Sequence, residues 1–428
     1  MQNEWSTIDS IRRTSQDWKI VPLQEFSSSD KNSFVNGPFG SDLLSSELVD
    51  EGQPVIYIRD IKDGRYQRKS DVCVTSEKHH ALPACHVDYG DVVIAKVGDP
   101  PCEAAVYDAN ESGVVTQDVI RIKTVELGLS QFLVFLLNSD IGKRQVKKIK
   151  IVGTRERVSL TDFKKLKFPF PPVSEQKKIA KILSTWDRAI STVEQLLTNS
   201  QQQKKALMQQ LLPGRKRLLD KNGVRFSGEW KTTKLSKMGK IVSGGTPDTN
   251  TKEFWDGEIS WLTPTDVTAL KSRFVLSTAR TISDAGVKNS SATLLPAGSL
   301  MVCTRATIGA LAISKTEICT NQGFKNIIPY KNFDVNFIYY TLLYNTLELV
   351  RKASGSTFLE LSKKDFENIE LPCPLLEEEQ QKIAAVLSTA DLEISALQQK
   401  LDALKQEKKA LMQQLLTGKR RVKVEVAA

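Results

Sequence analysis

The chain contains a long internal repeat, which constrains its architecture more than any other feature. Shifting the sequence by 204 positions aligns residues 179–217 with residues 383–421 without a gap, and 22 of these 39 positions are identical. The run KKALMQQLL occurs at residues 204–212 and again at residues 408–416. Low-complexity helices would match at many offsets, whereas this match occurs at a single one. The sequence therefore predicts two tandem copies of one structural plan.

Apolar residues in both copies follow the alternating three-and-four spacing of a heptad seam. In the second copy they are Ile383, Val386, Ala390, Ile394, Leu397, Leu401, Leu404, Leu411 and Leu415. In the first copy they are Ile179, Ile182, Trp186, Ile190, Val193, Leu197, Leu207 and Leu211, with Ser200 and Lys204 interrupting the seam. This pattern predicts two helices of about 40 residues, roughly 60 Å long, each with a partner helix. An amphipathic helix lying on a globular core is the alternative interpretation.

The ends of both helices carry recognisable signals. Pro171–Pro172 and Pro374 precede them, and Glu175 and Glu377–Glu379 place negative charge in their first turns. Pro213–Gly214 and Thr417–Gly418 follow the last periodic leucines. The basic runs 215–217 and 419–421 come next, and they suit either the negative end of a helix dipole or contact with DNA.

The segments before the helices, residues 15–173 and 228–376, have short apolar and β-branched runs separated by glycine, proline and polar turns. They predict mixed strands and short helices. Their mutual similarity is faint but ordered: Trp18 and Leu23 match Trp230 and Leu235, Asp60 matches Asp266, Gly90 matches Gly298, and Gly153 and Asp162 match Gly355 and Asp365. Nearly identical helices joined to divergent globular parts indicate one shared function and one that differs between the halves.

The resulting prediction is an α+β protein in which two mixed α/β domains are separated by two long coiled-coil helices; if these helices form an antiparallel coiled coil, a pseudo-twofold axis relates the two halves of the internal repeat. The predicted segments are 1–173 for the first globular domain, 174–217 for the central helix, 218–376 for the second globular domain and 377–428 for the C-terminal helix and tail.

Charge favours a polyanionic partner. The chain has 60 lysines and arginines against 50 acidic residues, a formal charge of +10. Basic residues concentrate at Lys143, Arg144, Lys147, Lys148, Lys150, Arg155 and Arg157, against the single Glu156. This density suits phosphate contact, and a solvated charged face is the alternative.

Cysteine usage and the amino-terminal sequence bear on location. Six cysteines are spread thinly with no CxxC pair, which suits reduced thiols in a cytosol. The amino terminus has no apolar core of signal-peptide length, and no apolar stretch is long enough to cross a bilayer. We therefore expect a soluble, cytoplasmic protein.

The whole plan resembles the specificity subunits of type I restriction-modification systems. The resemblance rests on the early tryptophan and leucine of each half, on the glycine-rich openings NGPFGSDL (36–43) and SGGTP (243–247), and on PVIYIRDI (54–61) and ISWLTPTDV (259–267). The most specific feature is the closing signature before each long helix, FPFPPVSEQKKIAKIL (168–183) and LPCPLLEEEQQKIAAVL (371–387).

This resemblance implies a non-catalytic DNA-recognition subunit with two target-recognition domains held apart by an antiparallel helix pair. It also implies two methyltransferase subunits and two restriction subunits as partners, with S-adenosylmethionine, ATP and Mg²⁺ bound by those partners and no cofactor or metal bound by this chain. Because its halves differ, such a subunit is expected to read a split, asymmetric site in double-stranded DNA, and the helix length is expected to set the spacing between half-sites.

Base recognition requires donors and acceptors on loops that reach the groove edges. The candidates in the first domain are Asn36, Ser41, Arg59, Lys62, Lys96, Arg155 and Arg157. Those in the second domain are Ser243, Thr246, Thr263, Thr265, Arg305, Asn321, Gln322, Ser356 and Thr357.

Three alternatives remain at this point. The tetrapeptide Asp99-Pro100-Pro101-Cys102 is similar to the D/N-P-P-aromatic motif of DNA amino-methyltransferases, but cysteine replaces the aromatic residue and no convincing cofactor loop is present. His79, His80 and His86 lie near Cys73, Cys85 and Cys102, which raises zinc binding without recognisable tetrahedral spacing. A coiled-coil assembly scaffold without sequence specificity would also use heptad helices. A complete phosphate-binding loop is absent, so ATP hydrolysis belongs elsewhere.

Overall fold

The structure, a computed structural model, describes residues 17–38, 40–98, 101–151, 156–354 and 359–423. The chain forms two compact units: unit 1 comprises Met1–Glu194 and Gln399–Ala428, and unit 2 comprises Gln195–Gln398. The division falls inside both copies of the repeat, so each unit contains part of each long helix. Among the described residues, no helix combines the length and apolar character that a membrane span needs.

The globular part of unit 1 mixes short strands with short helices, as its sequence pattern predicts. Its strands are β1 (Lys19–Pro22), β2 (Phe34–Asn36), β3 (Leu48–Val49), β4 (Gln53–Ile56), β5 (Ile61–Lys62), β6 (Arg65–Tyr66), β7 (Cys73–Val74), β8 (His86–Val87), β9 (Val92–Ala95), β10 (Glu103–Val106), β11 (Gly113–Val115), β12 (Val119–Ile122) and β13 (Lys167–Phe170). Its helices are α1 (Ser76–Ala81), α2 (Leu127–Asn138), α3 (Asp140–Lys147) and α4 (Leu160–Lys165).

The first long helix is α5 (Val173–Leu211), and the globular part of unit 2 follows it. The strands of this part are β14 (Trp230–Lys234), β15 (Gly239–Ser243), β16 (Trp255–Leu262), β17 (Phe274–Val275), β18 (Thr281–Ile282), β19 (Leu300–Cys303), β20 (Leu311–Ser314), β21 (Ile318–Thr320), β22 (Phe324–Pro329) and β23 (Glu370–Pro374). Its helices are α6 (Leu235–Met238), α7 (Pro264–Ala269), α8 (Asp284–Lys288), α9 (Val335–Tyr344), α10 (Thr346–Lys352) and α11 (Lys363–Glu367), and the second long helix is α12 (Glu377–Leu415).

The two globular parts share the strand order of one four-stranded sheet. Unit 1 has a four-stranded antiparallel sheet of order β10-β9-β12-β2, and unit 2 has the same arrangement in β20-β19-β22-β15, with β17 added beside β20. In each unit a second sheet contains one parallel pair, β4 with β11 or β16 with β21. The amino-terminal strand of each part pairs antiparallel with its last strand, β1 with β13 and β14 with β23. The repeat therefore extends from the helices into the domains.

The residue correspondences predicted from the sequence are confirmed where they can be described. Leu23 and Leu235 are fully buried, and their backbone N–H groups donate to the carbonyls of Leu166 and Ile369 at 2.8 and 2.9 Å. Gly90 and Gly298 adopt φ values of +93° and +83° just before β9 and β19, a left-handed conformation that favours glycine. Gly153 and Gly355 lie outside the described residues.

Both long helices end as the sequence predicts. After Leu211 the N–H of Lys216 donates to the carbonyl of Gln210 at 2.9 Å, and Gly214 has a φ of +72°. After Leu415 the N–H of Arg420 donates to Gln414 at 3.1 Å, and Gly418 has a φ of +70°. The glycine N–H also donates to the carbonyl three residues earlier, from Gly214 to Leu211 at 3.1 Å and from Gly418 to Leu415 at 3.3 Å, which is the five-to-two bond of a Schellman cap around a left-handed glycine. Of the predicted helical segments 174–217 and 377–428, the helices themselves occupy Val173–Leu211 and Glu377–Leu415.

The long helices pair antiparallel within each unit. In unit 1, Lys408 Nζ lies 2.5 Å from Asp187 Oδ1 and Lys405 Nζ lies 2.9 Å from Glu194 Oε1. Residue numbers therefore decrease along one helix as they increase along the other, so the two helices are antiparallel. In unit 2, the corresponding pair is Lys204 with Asp391, also at 2.5 Å. These two 2.5 Å ion pairs are related by the 204-residue offset of the repeat.

The seam residues are buried or half-buried, which confirms the predicted partner helix. The alternative of a helix on a globular core also holds at the helix ends: Ile179 and Leu183 pack with Leu415 in the core of unit 1, and Leu211 packs with Ile383 in the core of unit 2. Ser200 interrupts the apolar seam with a buried hydroxyl, which donates a hydrogen bond to Glu393 Oε1 at 3.0 Å. The globular core thus buries the apolar seam at the ends of each long helix, and the partner helix buries the rest of it.

An arginine after each long helix binds a buried glutamate in the first turn of the other long helix. Arg217 donates from Nε and Nη2 to the Glu379 carboxylate at 2.6 and 2.7 Å in unit 2. Arg421 donates to Glu175 at 2.8 and 2.7 Å in unit 1, and it also binds Asp17. These hydrogen bonds raise the pKa of Arg421 and lower the pKa of Asp17. The basic runs after the helices therefore contain interhelical ion pairs, a role that neither sequence interpretation included.

We expect Arg217→Ala to lower the free energy of unfolding by about 3 kcal/mol, because it leaves a buried carboxylate without its bidentate partner. Only 1% of the Glu379 side chain is exposed, against 21% of Arg217. Arg421→Ala should cost less, since 39% of the Arg421 side chain is exposed. Urea unfolding measures both. The matched control is Arg215→Ala, an exposed arginine of the same run, with an expected change within about 0.5 kcal/mol. Equal urea midpoints for the Arg217 and Arg215 variants would contradict the prediction.

Candidate nucleic-acid interface

Four chain segments of unit 2 meet at one end of its globular part. The N–H of Gly245 donates to Thr320 O at 2.9 Å, that of Asn321 to Leu262 O at 3.1 Å, and that of Thr304 to Gly323 O at 2.8 Å. These bonds join the glycine segment after β15, the turn after β16, the loop after β19 and the turn between β21 and β22. We call this end the loop face of unit 2. It brings together Ser243, Thr246, Thr263, Thr265, Arg305, Asn321 and Gln322; Ser356 and Thr357 lie outside the described residues.

The candidates on this face divide into exposed side chains and those that shape the loops. Thr265, Arg305 and Gln322 are exposed. The Thr263 hydroxyl caps α7 and donates to Asp266 Oδ2 at 2.5 Å. Asn321 Oδ1 accepts the N–H of Gly323 at 3.0 Å.

Two further candidates on this face are only partly exposed. Thr246 donates its hydroxyl to Gln322 Oε1. Ser243 is half-buried as the last residue of β15. The exposed Thr265, Arg305 and Gln322 are therefore the side chains best placed to contact a ligand.

Unit 1 has an equivalent loop face built from the same backbone bonds. The N–H of Thr116 donates to Ile56 O at 3.1 Å, that of Lys96 to Asp118 O at 2.8 Å, and that of Val158 to Lys96 O at 3.3 Å. Arg157 adjoins this face through a β-bridge with Val97. The loop face of unit 1 therefore contains four of the candidates: Asn36, Arg59, Lys96 and Arg157.

The remaining candidates of the first domain are placed differently. Lys62 is exposed on the β5–β6 hairpin, whose Gly64 N–H donates to Glu103 and whose Arg65 pairs with Glu194. Ser41 lies in the helical turn Gly40–Asp42. Arg155 lies outside the described residues. Asn36 is buried and its amide donates to Gln117 O at 3.3 Å, so Asn36 supports the turn beneath that residue.

A fully buried aspartate holds the turn that presents Arg59. Asp60 Oδ2 accepts the N–H of Tyr57 and Asp60 Oδ1 accepts that of Lys69, both at 2.8 Å. The guanidinium of Arg59 lies 5.0 Å from the centre of the Tyr57 ring, a cation–π contact that orients the exposed arginine. In unit 2, Asp266 plays the same part by accepting the N–H of Thr263 at 2.9 Å. The predicted match of Asp60 with Asp266 thus corresponds to a shared structural role.

Six residues of the loop face of unit 1 line a cavity of about 410 Å³, and only Arg59 among them is a candidate from the sequence. The other five are Tyr57, Ile58, Thr116, Gln117 and Asp118. Gln117 and Asp118 are exposed. The available signal was the match of TQD at residues 116–118 with NQG at residues 321–323, each between two apolar runs.

The loop face of unit 2 has a buried cation beneath it. Lys325 pairs with Ser243 across β15 and β22, and its Nζ lies 3.9 Å from Glu360 Oε1. Burial lowers the pKa of Lys325, and the nearby Glu360 carboxylate partly opposes that shift. The corresponding position of unit 1, opposite Asn36, is the apolar Ile120. The charge beneath the two loop faces therefore differs.

The predicted basic cluster is exposed along α3. Lys143, Arg144, Lys147 and Lys148 are exposed, whereas Lys150 forms an ion pair with Glu156. Lys143 and Arg144 also line a groove of about 800 Å³ whose other basic side chains are Lys405, Lys408, Lys409 and Lys419, all within unit 1. This positive density is compatible with phosphate contact.

The side chains that suggested a zinc site or a methyltransferase motif have other contacts in the structure. His79 and His86 stack with ring centres 3.7 Å apart, and His86 Nε2 lies 2.7 Å from the carbonyl of His79. Across the described part of the chain, no group of three or more His, Cys, Asp or Glu side chains could hold a metal ion. Cys102 is 3% exposed, with burial raising its thiol pKa, so it is not available to stack on a base. Asp99 and Pro100 lie outside the described residues.

A family model for the type I restriction modification DNA specificity domain matches residues 55–199 and 227–406. The chain belongs to this family. The two matched stretches fall in the two halves of the repeat. A specificity subunit recognises DNA and catalyses no reaction of its own, so this membership decides against the self-contained methyltransferase and against the non-specific scaffold.

Individual specificity subunits show the same relationship. The chain is 38% identical to the type I restriction enzyme MjaIX specificity subunit of Methanocaldococcus jannaschii over 165 residues, which is 38% of each chain. It is 25% identical to the putative MjaX specificity subunit of the same organism over 424 residues, 95% of each chain. The crystal structure of the type I S subunit from M. genitalium has the same fold, with a TM-score of 0.58 at 13% identity, covering 93% of this chain and 96% of that one.

We expect Gly244→Ala to deform the loop face of this specificity subunit. A Cβ at Gly244 would lie 1.9 Å from the backbone carbonyl oxygen of Asn321, so the turn that carries Gln322 must move. The variant should unfold at lower urea concentration and lose affinity for its specific DNA. The matched control is Gly128→Ala in α2, where the nearest atom to the new Cβ is Lys177 Cγ at 3.4 Å; there we expect unchanged DNA binding and a small gain in stability. Unchanged DNA affinity of Gly244→Ala would refute this account of the loop face.

Proposed function

We propose that the two globular domains each read one half of a split, asymmetric site in double-stranded DNA, and that the chain thereby directs methyltransferase and restriction subunits to that site. The observation that carries the proposal is that two loop faces share one backbone framework but expose different side chains. Tyr57 and Arg59 in unit 1 occupy the turn that carries Thr263 and Thr265 in unit 2. Different side chains on equal frameworks suit different base sequences.

The domain assignment follows from this role. Residues 1–173 and 218–376 serve as the two target-recognition domains, and residues 174–217 and 377–428 serve as the helical segments. We assign the exposed candidates Arg59, Thr265, Arg305 and Gln322 to base contact. The basic residues of α3 are assigned to phosphate contact, which contributes affinity without sequence information.

The repeated helices support a stoichiometry of two methyltransferase and two restriction subunits in the cytoplasm. Two copies of KKALMQQLL, each on a long helix, offer two nearly identical surfaces, and two copies of one partner can bind such surfaces in the same way. In this arrangement S-adenosylmethionine, ATP and Mg²⁺ bind to the partner subunits.

The recognition role predicts unequal losses of affinity. With the target first identified from methylated adenines in the host genome, Arg59→Ala and Arg305→Ala should each weaken binding to the cognate duplex by roughly 5- to 150-fold, the range for one bidentate base contact. Binding to a scrambled duplex should change much less. Lys147→Ala, which removes an exposed basic residue of α3, is the control and should weaken both duplexes equally. Fluorescence anisotropy at fixed salt measures the affinities of the wild type and the three variants for both duplexes. Equal losses on both duplexes for an arginine variant would demote that arginine to phosphate contact.

The long helices are expected to set the spacing between half-sites. Deleting the matched heptads 193–199 and 397–403 removes about 10 Å from each helix and retains the Lys408–Asp187 and Lys204–Asp391 ion pairs. The methylated site should then contain a spacer shorter by about three base pairs. A variant in which the same heptads are replaced by leucine-seam heptads of equal length is the control and should keep the original spacer. The spacer role fails if the deletion leaves the spacer unchanged in an active complex.

A further inference from the structure

The two loop faces contain one recurring three-residue turn. In unit 1 it is residues 116–118 and in unit 2 it is residues 321–323. The first residue of each turn donates its N–H to the last residue of a strand, Thr116 to Ile56 and Asn321 to Leu262, both at 3.1 Å. The carbonyl of the third residue accepts an N–H at 2.8 Å in both cases, Asp118 from Lys96 and Gly323 from Thr304. The middle residue is therefore held in the same position in both units.

The middle residue is glutamine in both turns, and both glutamines are exposed. Within the described part of the chain, the Gln117 carboxamide has no hydrogen-bonding partner. The Gln322 carboxamide accepts the Thr246 hydroxyl at Oε1, and its Nε2 donates to none of the described residues. Donor capacity thus remains on both exposed side chains.

Both turns are backed by close-packed backbone, which limits their movement. A Cβ at Gly37 would lie 2.0 Å from Val115 O, and a Cβ at Gly244 would lie 1.9 Å from Asn321 O. The buried Asn36 amide also donates to the carbonyl of Gln117 itself. A side chain on a fixed turn loses less conformational freedom on binding and selects among ligands more sharply.

The chemistry of a carboxamide identifies the ligand. Glutamine can donate one hydrogen bond and accept another in one plane, and adenine offers the matching pair, the N7 acceptor and the N6 amino donor, in the major groove. A neutral side chain releases no counterion from DNA, so it serves poorly as a phosphate anchor. We propose that Gln117 and Gln322 are equivalent specificity-determining residues and that each reads an adenine in its own half-site. This inference rests on the proposed function.

The residues beside each glutamine differ and would separate the two half-sites. The third residue of the turn is Asp118 in unit 1 and Gly323 in unit 2. A carboxylate can accept the N4 amino group of cytosine, whereas glycine offers no side chain. Arg59 and Tyr57 complete the cavity beside Gln117, and Thr246 holds Gln322. The shared glutamine therefore accounts for a base that both half-sites have in common. The residues next to each glutamine account for the difference between the two half-sites.

The test is the methylated DNA motif produced by the complete methyltransferase complex, determined by sequencing DNA modified by the wild-type and variant complexes. Gln117→Ala should relax one adenine position in one half-site, with discrimination falling roughly 5- to 150-fold. Gln322→Ala should relax one adenine position in the other half-site only. Gln24→Ala changes an exposed glutamine outside the loop face and should leave the motif unchanged.

Two further measurements distinguish base reading from a structural effect. Gln117→Glu retains the size of the side chain but removes its donors, so preference at the affected position should shift from adenine toward cytosine. The dependence of affinity on salt should be the same for the wild type and both alanine variants, because no phosphate contact is lost.

The outcomes separate this inference from the proposed function. An unchanged motif in both alanine variants, relaxation of the same half-site by both, or relaxation at a base other than adenine would overturn the inference alone. A wild-type motif without two separate halves would overturn the proposed function and this inference with it. Relaxation of one adenine in a different half-site by each variant supports both.

Discussion

A buried carboxylate bound by an arginine from the far end of the partner helix underlies the whole architecture. Glu379 is fully buried and its two oxygens accept two hydrogen bonds from Arg217, and Glu175 is bound in the same way by Arg421. A carboxylate in this setting is stable only with its bidentate partner in place. Because each pair joins the first turn of one helix to the residues after the other, it selects the antiparallel pairing and sets its register.

Pairs of charged residues along the seam reinforce that register. Lys408 with Asp187 and Lys204 with Asp391 are related by the repeat offset, so the same sequence serves both units. The symmetry is incomplete: Ser200 binds Glu393 in unit 2, whereas the positions one repeat away are Leu404 and Ala189. Polar contacts of this kind favour one register over shifted ones, since a shift would leave buried polar groups unpaired.

In each globular domain, one set of residues supports the loop face and another set is exposed on it. Groups such as Asp60 and the close-packed Gly37 form the frame, and Asp266 and Gly244 take the equivalent places in unit 2. The exposed residues at the tips differ, except for the shared glutamine. Because the frame does not depend on the tips, side chains at the tips can change with little cost in stability, which suits a family whose members read different DNA sequences.

Strong sequence signals determined the long helices, their caps and their apolar seams, because a heptad pattern over some forty residues reports burial directly, whereas the interhelical ion pairs decided the antiparallel direction. The same holds for Gly90, Gly298, Asp60 and Asp266, whose matches reflect local backbone geometry.

Tertiary structure alone decided which polar residues face outward. Asn36 and Thr263 have the composition of base-reading residues, yet their polar groups bind the chain itself. The placement of Gln117 on the loop face depends on the hydrogen bond of the neighbouring Thr116 with Ile56, 60 residues away in sequence, and Arg217 forms an ion pair with a glutamate 162 residues away. Local pattern records how a segment folds, whereas the partner of a polar side chain is set by the three-dimensional path of the chain.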